Sequence, residues 1–341
     1  MNRISPAFPV RPAIAASLGA LTNPQGLLDY ETFTRAALYD PEWGYYRRKA
    51  PRVGKSDAAD FYTSSSHTLV FPLLLIDACK HLLEVDDLRD YHWVEIGAED
   101  HPIMDATNAE QFASCSTFRL DDAVELLEPC IVMSNELLDA QPFQRWIYLD
   151  GQWRPIRILL ENDSLCECIV PDSLSDSEAT ILKRLPDTAT EGYRVDVSLE
   201  AEQLLTRILK GFQSGLFLTI DYGKPWEAIL TECPEGTARA YQGHAQNPDI
   251  LKDPGEQDLT CDVCWDFIID ALESEGFEKP KLNRQESFFM RQAPDAIRSI
   301  VTRPSNLTDP LKGQLLELIS PTHFGSRFQV LSTTKKQCRN H

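Results

Sequence analysis

Three short apolar runs, each ending on polar residues, constrain this chain more than any other feature. They are His92-Trp93-Val94-Glu95-Ile96-Gly97, Cys130-Ile131-Val132-Met133 running into Ser134-Asn135-Glu136, and Leu216-Phe217-Leu218-Thr219-Ile220 ending at Asp221-Tyr222-Gly223. Continuous apolar runs of this length suit strands buried on both faces. Ahead of the third run, Ser198 is a good N-cap, and Ala201, Leu204, Leu205, Ile208, Leu209 and Phe212 make a helical stripe closed by Gly211 and Gly215. Strands alternating with helices predict an α/β fold with a mostly parallel sheet. In such a sheet ligands sit beyond the carboxyl ends of the strands, so Glu95, Glu136 and Asp221 are expected to face one crevice.

The rest of the chain gives weaker signals. Residues 29–49 begin as a helix with Phe33, Ala36 and Ala37 on one face, stop at Asp40-Pro41 and turn through Trp43-Gly44-Tyr45-Tyr46. The cations Arg47, Arg48, Lys49, Arg52 and Lys55 follow, either as a solvated loop or as a loop over an anionic ligand. Residues 69–83 read as a helix. Residues 144–170 alternate around Asp150-Gly151, which predicts an antiparallel hairpin outside the main sheet. A further helix is expected at about 262–275, and 324–331 reads as an edge strand. The expected organisation is a flexible N-terminal arm over 1–28, a helical cap region over 29–90, and an α/β domain over 91–341 with an insert at about 144–191.

Composition limits the function classes. A net charge of −19 repels phosphate backbones and anionic lipid, so neither nucleic acid nor a membrane surface is an expected partner, whereas another protein is. No run reaches the length of a membrane-spanning helix. The nine cysteines are scattered; Cys261 and Cys264 form one pair and Cys166 and Cys168 another, which falls short of a metal-site pattern, and they read as reduced buried thiols. No metal is expected, and the protein reads as cytoplasmic.

Asn135-Glu136-Leu137-Leu138-Asp139-Ala140 is the most informative hexapeptide. If it turns helical after the strand, Glu136 and Asp139 share a face and can hold a guanidinium by charge-assisted hydrogen bonds. The alternative is a plain helix start.

Several blocks then resemble one family. Leu38-Tyr39-Asp40-Pro41-Glu42-Trp43-Gly44-Tyr45-Tyr46 resembles the opening motif of the MidA-like S-adenosylmethionine-dependent methyltransferases, a family that includes a mitochondrial complex I assembly factor. Asp60-Phe61-Tyr62-Thr63-Ser64, Val94-Glu95-Ile96-Gly97, residues 134–142, Asp221-Tyr222-Gly223, Arg239-Ala240-Tyr241 with His244, and Pro254-Gly255-Glu256 with Asp258 and Thr260 are similar to later blocks, in order. The resemblance implies a class I methyltransferase fold with extra N-terminal helices and inserted strands. It implies S-adenosylmethionine as cofactor, held by Asp60, Thr63, Ser64, Glu95, Gly97 and Asn135. It also implies a protein arginine substrate, with Glu136, Asp139 and Asp221 as the catalytic carboxylates.

The chain departs from the family pattern where a glycine-rich loop is due. Gly97 is followed by Ala98-Glu99-Asp100-His101-Pro102, and no glycine occurs from 98 to 150. The usual second strand reads as missing or reduced, Ala59 and Ser65-Ser66 replace expected residues, and Asp262 stands where a histidine is usual. Two functional classes follow: an active methyltransferase with an unusual cofactor loop, or a pseudoenzyme that keeps the fold as a protein-binding or assembly module.

Overall fold

The structure is a computed structural model that describes residues 2–47, 67–98, 101–119, 121–171, 173–243, 245–304, 309–320, 325 and 327–336. The chain divides into two compact units, each drawn from three stretches: 1–61, 139–203 and 224–266 in the first, and 62–138, 204–223 and 267–341 in the second.

The elements follow in chain order. The first stretch holds β1 (Asn2–Arg3), β2 (Phe8–Pro9), α1 (Pro12–Gly19), β3 (Leu27–Asp29) and α2 (Tyr30–Tyr39). Next come α3 (Phe71–Leu83), β4 (His92–Ile96), α4 (Ala106–Ala109), β5 (Ser114–Phe118) and β6 (Cys130–Asn135). The third stretch holds β7 (Gln144–Leu149), β8 (Gln152–Pro155), β9 (Arg157–Glu161), β10 (Ser164–Ile169), α5 (Asp176–Leu182) and β11 (Arg194–Val197). Then α6 (Leu199–Ile208) leads to β12 (Gly215–Asp221) and β13 (Gly223–Lys224). The next stretch carries α7 (Trp226–Glu232), β14 (Arg239–Gln242), β15 (Ala245–Asn247), β16 (Asp258–Thr260) and β17 (Val263–Cys264). The last elements are α8 (Trp265–Ser274), β18 (Lys281–Arg284), α9 (Gln285–Gln292), α10 (Pro294–Thr302), α11 (Pro310–Ile319) and β19 (Gln329–Lys335).

The second unit is built on a six-stranded sheet ordered β18-β19-β12-β6-β4-β5. β12, β6, β4 and β5 run parallel, while β19 is antiparallel to both β12 and β18. The three apolar runs of the sequence are therefore neighbours in one sheet, as their composition requires. Their side chains, with those of α3, α9 and α11, form one core that includes Trp93, Ile131, Met133, Leu216 and Leu218.

The first unit is antiparallel throughout its larger sheets. β10 pairs with β9, β1 and β2, and β9 with β3; β7 lies between β11 and β8, and β14 between β15 and β16. Its core gathers Leu18, Phe33, Phe143, Ile158 and Leu165.

Four expectations change. Taken over the whole chain the sheets are mixed and largely antiparallel, not mostly parallel, because two-residue turns such as Asp150-Gly151 can join only antiparallel neighbours. Residues 144–170 form two hairpins in two sheets: Asp150 and Gly151 (φ 53° and 73°) turn the first, and Asn162 and Asp163 (φ 50° and 52°) the second. Residues 2–28, read as a flexible arm, carry β1 and β2 paired on β10 and helix α1, whose Ile14, Ala15 and Leu18 are buried. The C-terminal strand is interior rather than an edge, because β18 covers its outer side.

Candidate active site

The registers bring the predicted residues of the second unit to one edge of its sheet. Ile96 pairs with Ser134, and Ile220 with Asn135, so β4, β6 and β12 end level with one another. Ser134 Oγ donates to Thr219 Oγ1 at 2.8 Å and ties β6 to β12 just below that edge.

Asp221 is fully buried. Its Oδ2 accepts from the backbone N–H groups of Leu137 (3.2 Å) and Leu138 (2.8 Å), and its Oδ1 from Tyr222 N at 2.8 Å. A buried carboxylate with three backbone donors clasps the chain as it leaves β6.

The hexapeptide does not turn helical, which corrects the shared-face expectation for Glu136 and Asp139. Glu136 sits at φ 50°, and its N–H continues the sheet ladder to Ile220 O at 2.9 Å. Pro142 lacks the N–H that a helix would direct to Leu138 O. A non-glycine residue held in this left-handed region costs about 1 kcal/mol or more, and such strain collects at functional sites. Beside it, Asn135 Nδ2 donates to Glu136 Oε1 at 3.0 Å, while Asn135 Oδ1 is buried without a hydrogen-bond partner. An acceptor buried in that way costs roughly 1–3 kcal/mol, which a ligand donor would recover.

Gly97 has φ 75°, and its N–H donates to Phe118 O at 2.8 Å. A Cβ there would stand 2.7 Å from Leu137 Cδ1, so only glycine fits without moving Leu137. Glu95 is buried, and that burial pushes its carboxyl up to about 7, against the opposing hydrogen bond from Ile103 N (2.8 Å). The chain after β4 thus folds back onto Glu95.

The second strand that the sequence hid is present as β5, parallel to β4 at the sheet edge. Ser114-Cys115-Ser116-Thr117-Phe118 carries no apolar run because an edge strand is only half covered, and the connection before it is reduced to the four-residue α4.

The remaining candidates lie in the first unit or outside the described residues. Asp139 is buried, and its carbonyl accepts from Cys261 N at 3.0 Å. Arg239 is ion-paired with Asp262; burial works against its charge, but Asp262, Tyr241 and Asp139 together hold it firmly protonated. Asp262, where a histidine was expected, is therefore the carboxylate ion-paired with this internal guanidinium, and the charge of Asp139 adds to the same field. The opening motif packs here too: Tyr39 OH donates to Ala140 O (2.7 Å), Tyr46 OH to Asp258 Oδ1 (3.1 Å), and a Cβ on Gly255 would meet Trp43 O at 2.3 Å. Asp60, Thr63, Ser64, His244, Glu99, Asp100 and most of the cationic stretch, from Arg48 to Lys55, lie outside the described residues.

Sequence reasoning missed a buried charge network in this unit. Arg145 donates to Asp196 Oδ1 (2.9 Å) and Glu167 Oε1 (3.1 Å), and Arg194 to Glu167 Oε2 (3.0 Å), with Tyr30 OH also on Glu167. The only signal was a charged residue at a core-facing strand position, Arg145 beside Trp146.

With this geometry in view, comparison with known proteins identifies the family. Residues 79–282, more than half of the chain, match the model of a family described as "Putative S-adenosyl-L-methionine-dependent methyltransferase". The chain belongs to this family. This methyltransferase-family chain is 26% identical over 209 residues to "Protein arginine methyltransferase NDUFAF7, mitochondrial" of Danio rerio, a match covering 59% of the chain and 46% of that relative. It is 24% identical over 212 residues to the corresponding homolog of Drosophila melanogaster, with the same coverage of 59% and 46%. The chain spans about half the length of the curated relatives it matches.

Two solved structures from Burkholderia thailandensis share the α/β methyltransferase fold. One is a methyl transferase candidate bound to S-adenosyl-homocysteine, with TM-score 0.80, 21% identity and coverage of 96% of this chain and 95% of that one. The other is a native structure from the same superfamily, with TM-score 0.78, 20% identity and coverage of 96% and 95%. The cytoplasmic expectation is corrected, since both curated relatives are named as mitochondrial proteins. The MidA-like resemblance of the separate motif blocks agrees with the family match.

Proposed function

We propose that this member of the family is an active S-adenosylmethionine-dependent methyltransferase that modifies an arginine side chain of a protein substrate. The observation that carries this reading is the end of β6, where Asn135 offers a buried acceptor with no partner beside Glu136 in a strained backbone conformation. The parallel run β12-β6-β4-β5 supports a class I, Rossmann-like arrangement, with the ligand at the carboxyl ends.

The residues present fit the cofactor. Asn135 Oδ1 is suited to a hydroxyl or amino donor, and Glu95 supplies a carboxyl able to exist neutral or charged near pH 7. When bound, the cofactor supplies a methyl group already activated on a sulfonium, so no protein nucleophile is needed. The work left to the chain is orientation and exclusion of water. Asp221 fixes Leu137 and Leu138, which fixes the direction of Glu136. Glu136, which is only half-buried, then orients the substrate guanidinium by charge-assisted hydrogen bonds. In the first unit, the charge of Asp139 supports the Arg239–Asp262 ion pair.

A second reading, a pseudoenzyme retained as a protein-binding or assembly module, is favoured by one observation. Ile103 N already occupies Glu95, in a loop that lacks the glycines needed for a close backbone approach. Calorimetric titration of the purified chain with S-adenosylmethionine separates the two. Micromolar or tighter binding, with Glu136→Gln abolishing methyl transfer to an arginine-bearing protein while sparing cofactor affinity, is the expected result. Absence of binding would leave only the second reading.

A further inference from the structure

The opposite end of the same sheet carries a cavity that the methyltransferase reading does not use. It has a volume of about 590 Å³ and lies where β12 begins and β19 ends. Lys281, the first residue of β18, pairs with Ser332, and Lys335, the last of β19, pairs with Gly215. These registers set Lys335 at the amino end of β12 and Lys281 level with Leu218 at its middle, on the cavity side of the sheet away from Glu95, Asn135 and Asp221.

Lys279, Lys281, Lys335 and Lys336 all line this cavity, against two carboxylates, Glu84 and Glu278. That local excess of positive charge stands out in a chain with 33 Lys and Arg against 52 Asp and Glu. Two of the lysines are committed. Lys336 pairs with Glu278 at 3.0 Å, and Lys335 donates to Glu275 O at 2.7 Å while lying over the Phe277 ring. The Thr334 hydroxyl, Lys336 and the charge of Lys281 hold Glu278 below the usual carboxylate range, and Lys336 alone is ion-paired with it among the described residues. Helix α3 ends at the cavity and adds the partial negative charge of its last carbonyls. Lys279 and Lys281 remain exposed and make no ion pair among the described residues. Of the hydroxyls in the lining, Ser214 already donates to Glu128 and Thr334 to Glu278, while Ser332 makes neither contact.

We propose that this lysine-lined cavity is a second binding site, for a small molecule bearing several phosphate or carboxylate groups. Its volume falls within the roughly 300–1,000 Å³ of small-molecule sites. Ammonium groups on flexible stems serve phosphate as point charges, each with three donors that can turn to meet its oxygens. The long-range field of an acidic protein repels anions, so binding depends on contact with these particular lysines.

The test is calorimetric titration of the full chain, without S-adenosylmethionine, using inorganic tripolyphosphate and, in a parallel arm, citrate. Saturable one-site binding of tripolyphosphate is expected. Lys279→Gln with Lys281→Gln should weaken it about tenfold or more, a loss of about 1.4 kcal/mol or more, without changing the melting temperature of the unliganded protein. Lys281→Glu alone should act in the same direction, which guards against a folding defect in the double variant. Citrate binding as tightly as tripolyphosphate extends the site to polycarboxylates; weaker citrate binding restricts it to phosphates. The proposal is overturned by an absence of saturable binding, by unchanged affinity in both lysine variants, or by competition from S-adenosyl-homocysteine. Because the titration requires no cofactor, its failure is separate from a failure of the methyltransferase reading.

Discussion

At the scale of single residues, three acidic side chains at the strand ends have three different jobs. Asp221 accepts three backbone N–H groups in a fully buried place. Asp221→Asn keeps the shape but loses the charge and one acceptor, so stability to chemical denaturation should fall by about 1–3 kcal/mol; an unchanged midpoint would deny Asp221 its clasp role. Glu136 shows the reverse balance. At φ 50°, Glu136→Gly relieves backbone strain, so the variant should melt at the same temperature or higher, by up to about 1 kcal/mol of stability, while losing methyl transfer. A variant both less stable and fully active would remove Glu136 from the site. Glu95 gives a pH signature. Its carboxyl titrates near 7 when folded against 4.5 as the ordinary value, so the folded state binds the proton more tightly. The stability this confers is fully present below about pH 4.5 and is lost as pH rises through 7. Glu95→Gln should flatten that segment of the stability-against-pH curve relative to the parent, and parallel curves would show that Glu95 does not titrate there.

At the scale of elements, two glycines in the same left-handed region separate conformational strain from crowding. Gly151, at φ 73° in the β7–β8 turn, has nothing within 4 Å of an added Cβ. Gly97, at φ 75° after β4, would place its Cβ 2.7 Å from Leu137 Cδ1. Gly151→Ala should therefore cost about 1 kcal/mol, and Gly97→Ala clearly more. Adding Leu137→Ala to the latter should recover the crowding part only. Equal losses at both positions would mean that Leu137 moves aside freely. The same contrast explains which elements were legible. The Asp150-Gly151 turn and the capped helix α6, where Ser198 Oγ accepts from Ala201 N at 3.1 Å, are local and show in the sequence. Strand β5 does not, because its edge position removes the apolar pattern that identifies a strand.

At the scale of the whole molecule, the charge of −19 sets how partners arrive. A cationic, arginine-bearing protein is attracted over a Debye length of about 8–10 Å at physiological salt. Its association rate with this chain should rise as ionic strength falls, measured by stopped-flow mixing, whereas a flat salt response would place recognition on apolar contacts instead. Tripolyphosphate should show the opposite long-range trend, and its binding at the lysine-lined cavity would rest on short-range contact alone.

The sequence by itself determined strands at 92–97, 130–134 and 216–221, within a residue of those observed, together with their apolar burial and the polar residues at their ends, because those properties are set by local composition and period. It also determined the family, through blocks whose order survives although each block is short. Only the tertiary structure decided what the end residues do. Whether Asp221 is open or accepts from the N–H groups of Leu137 and Leu138, whether Asp139 is exposed or buried, and whether Glu136 joins a helix or sits at φ 50° all depend on partners distant in the chain. A carboxylate in a sequence has a charge but no partner, and its partner decides its role.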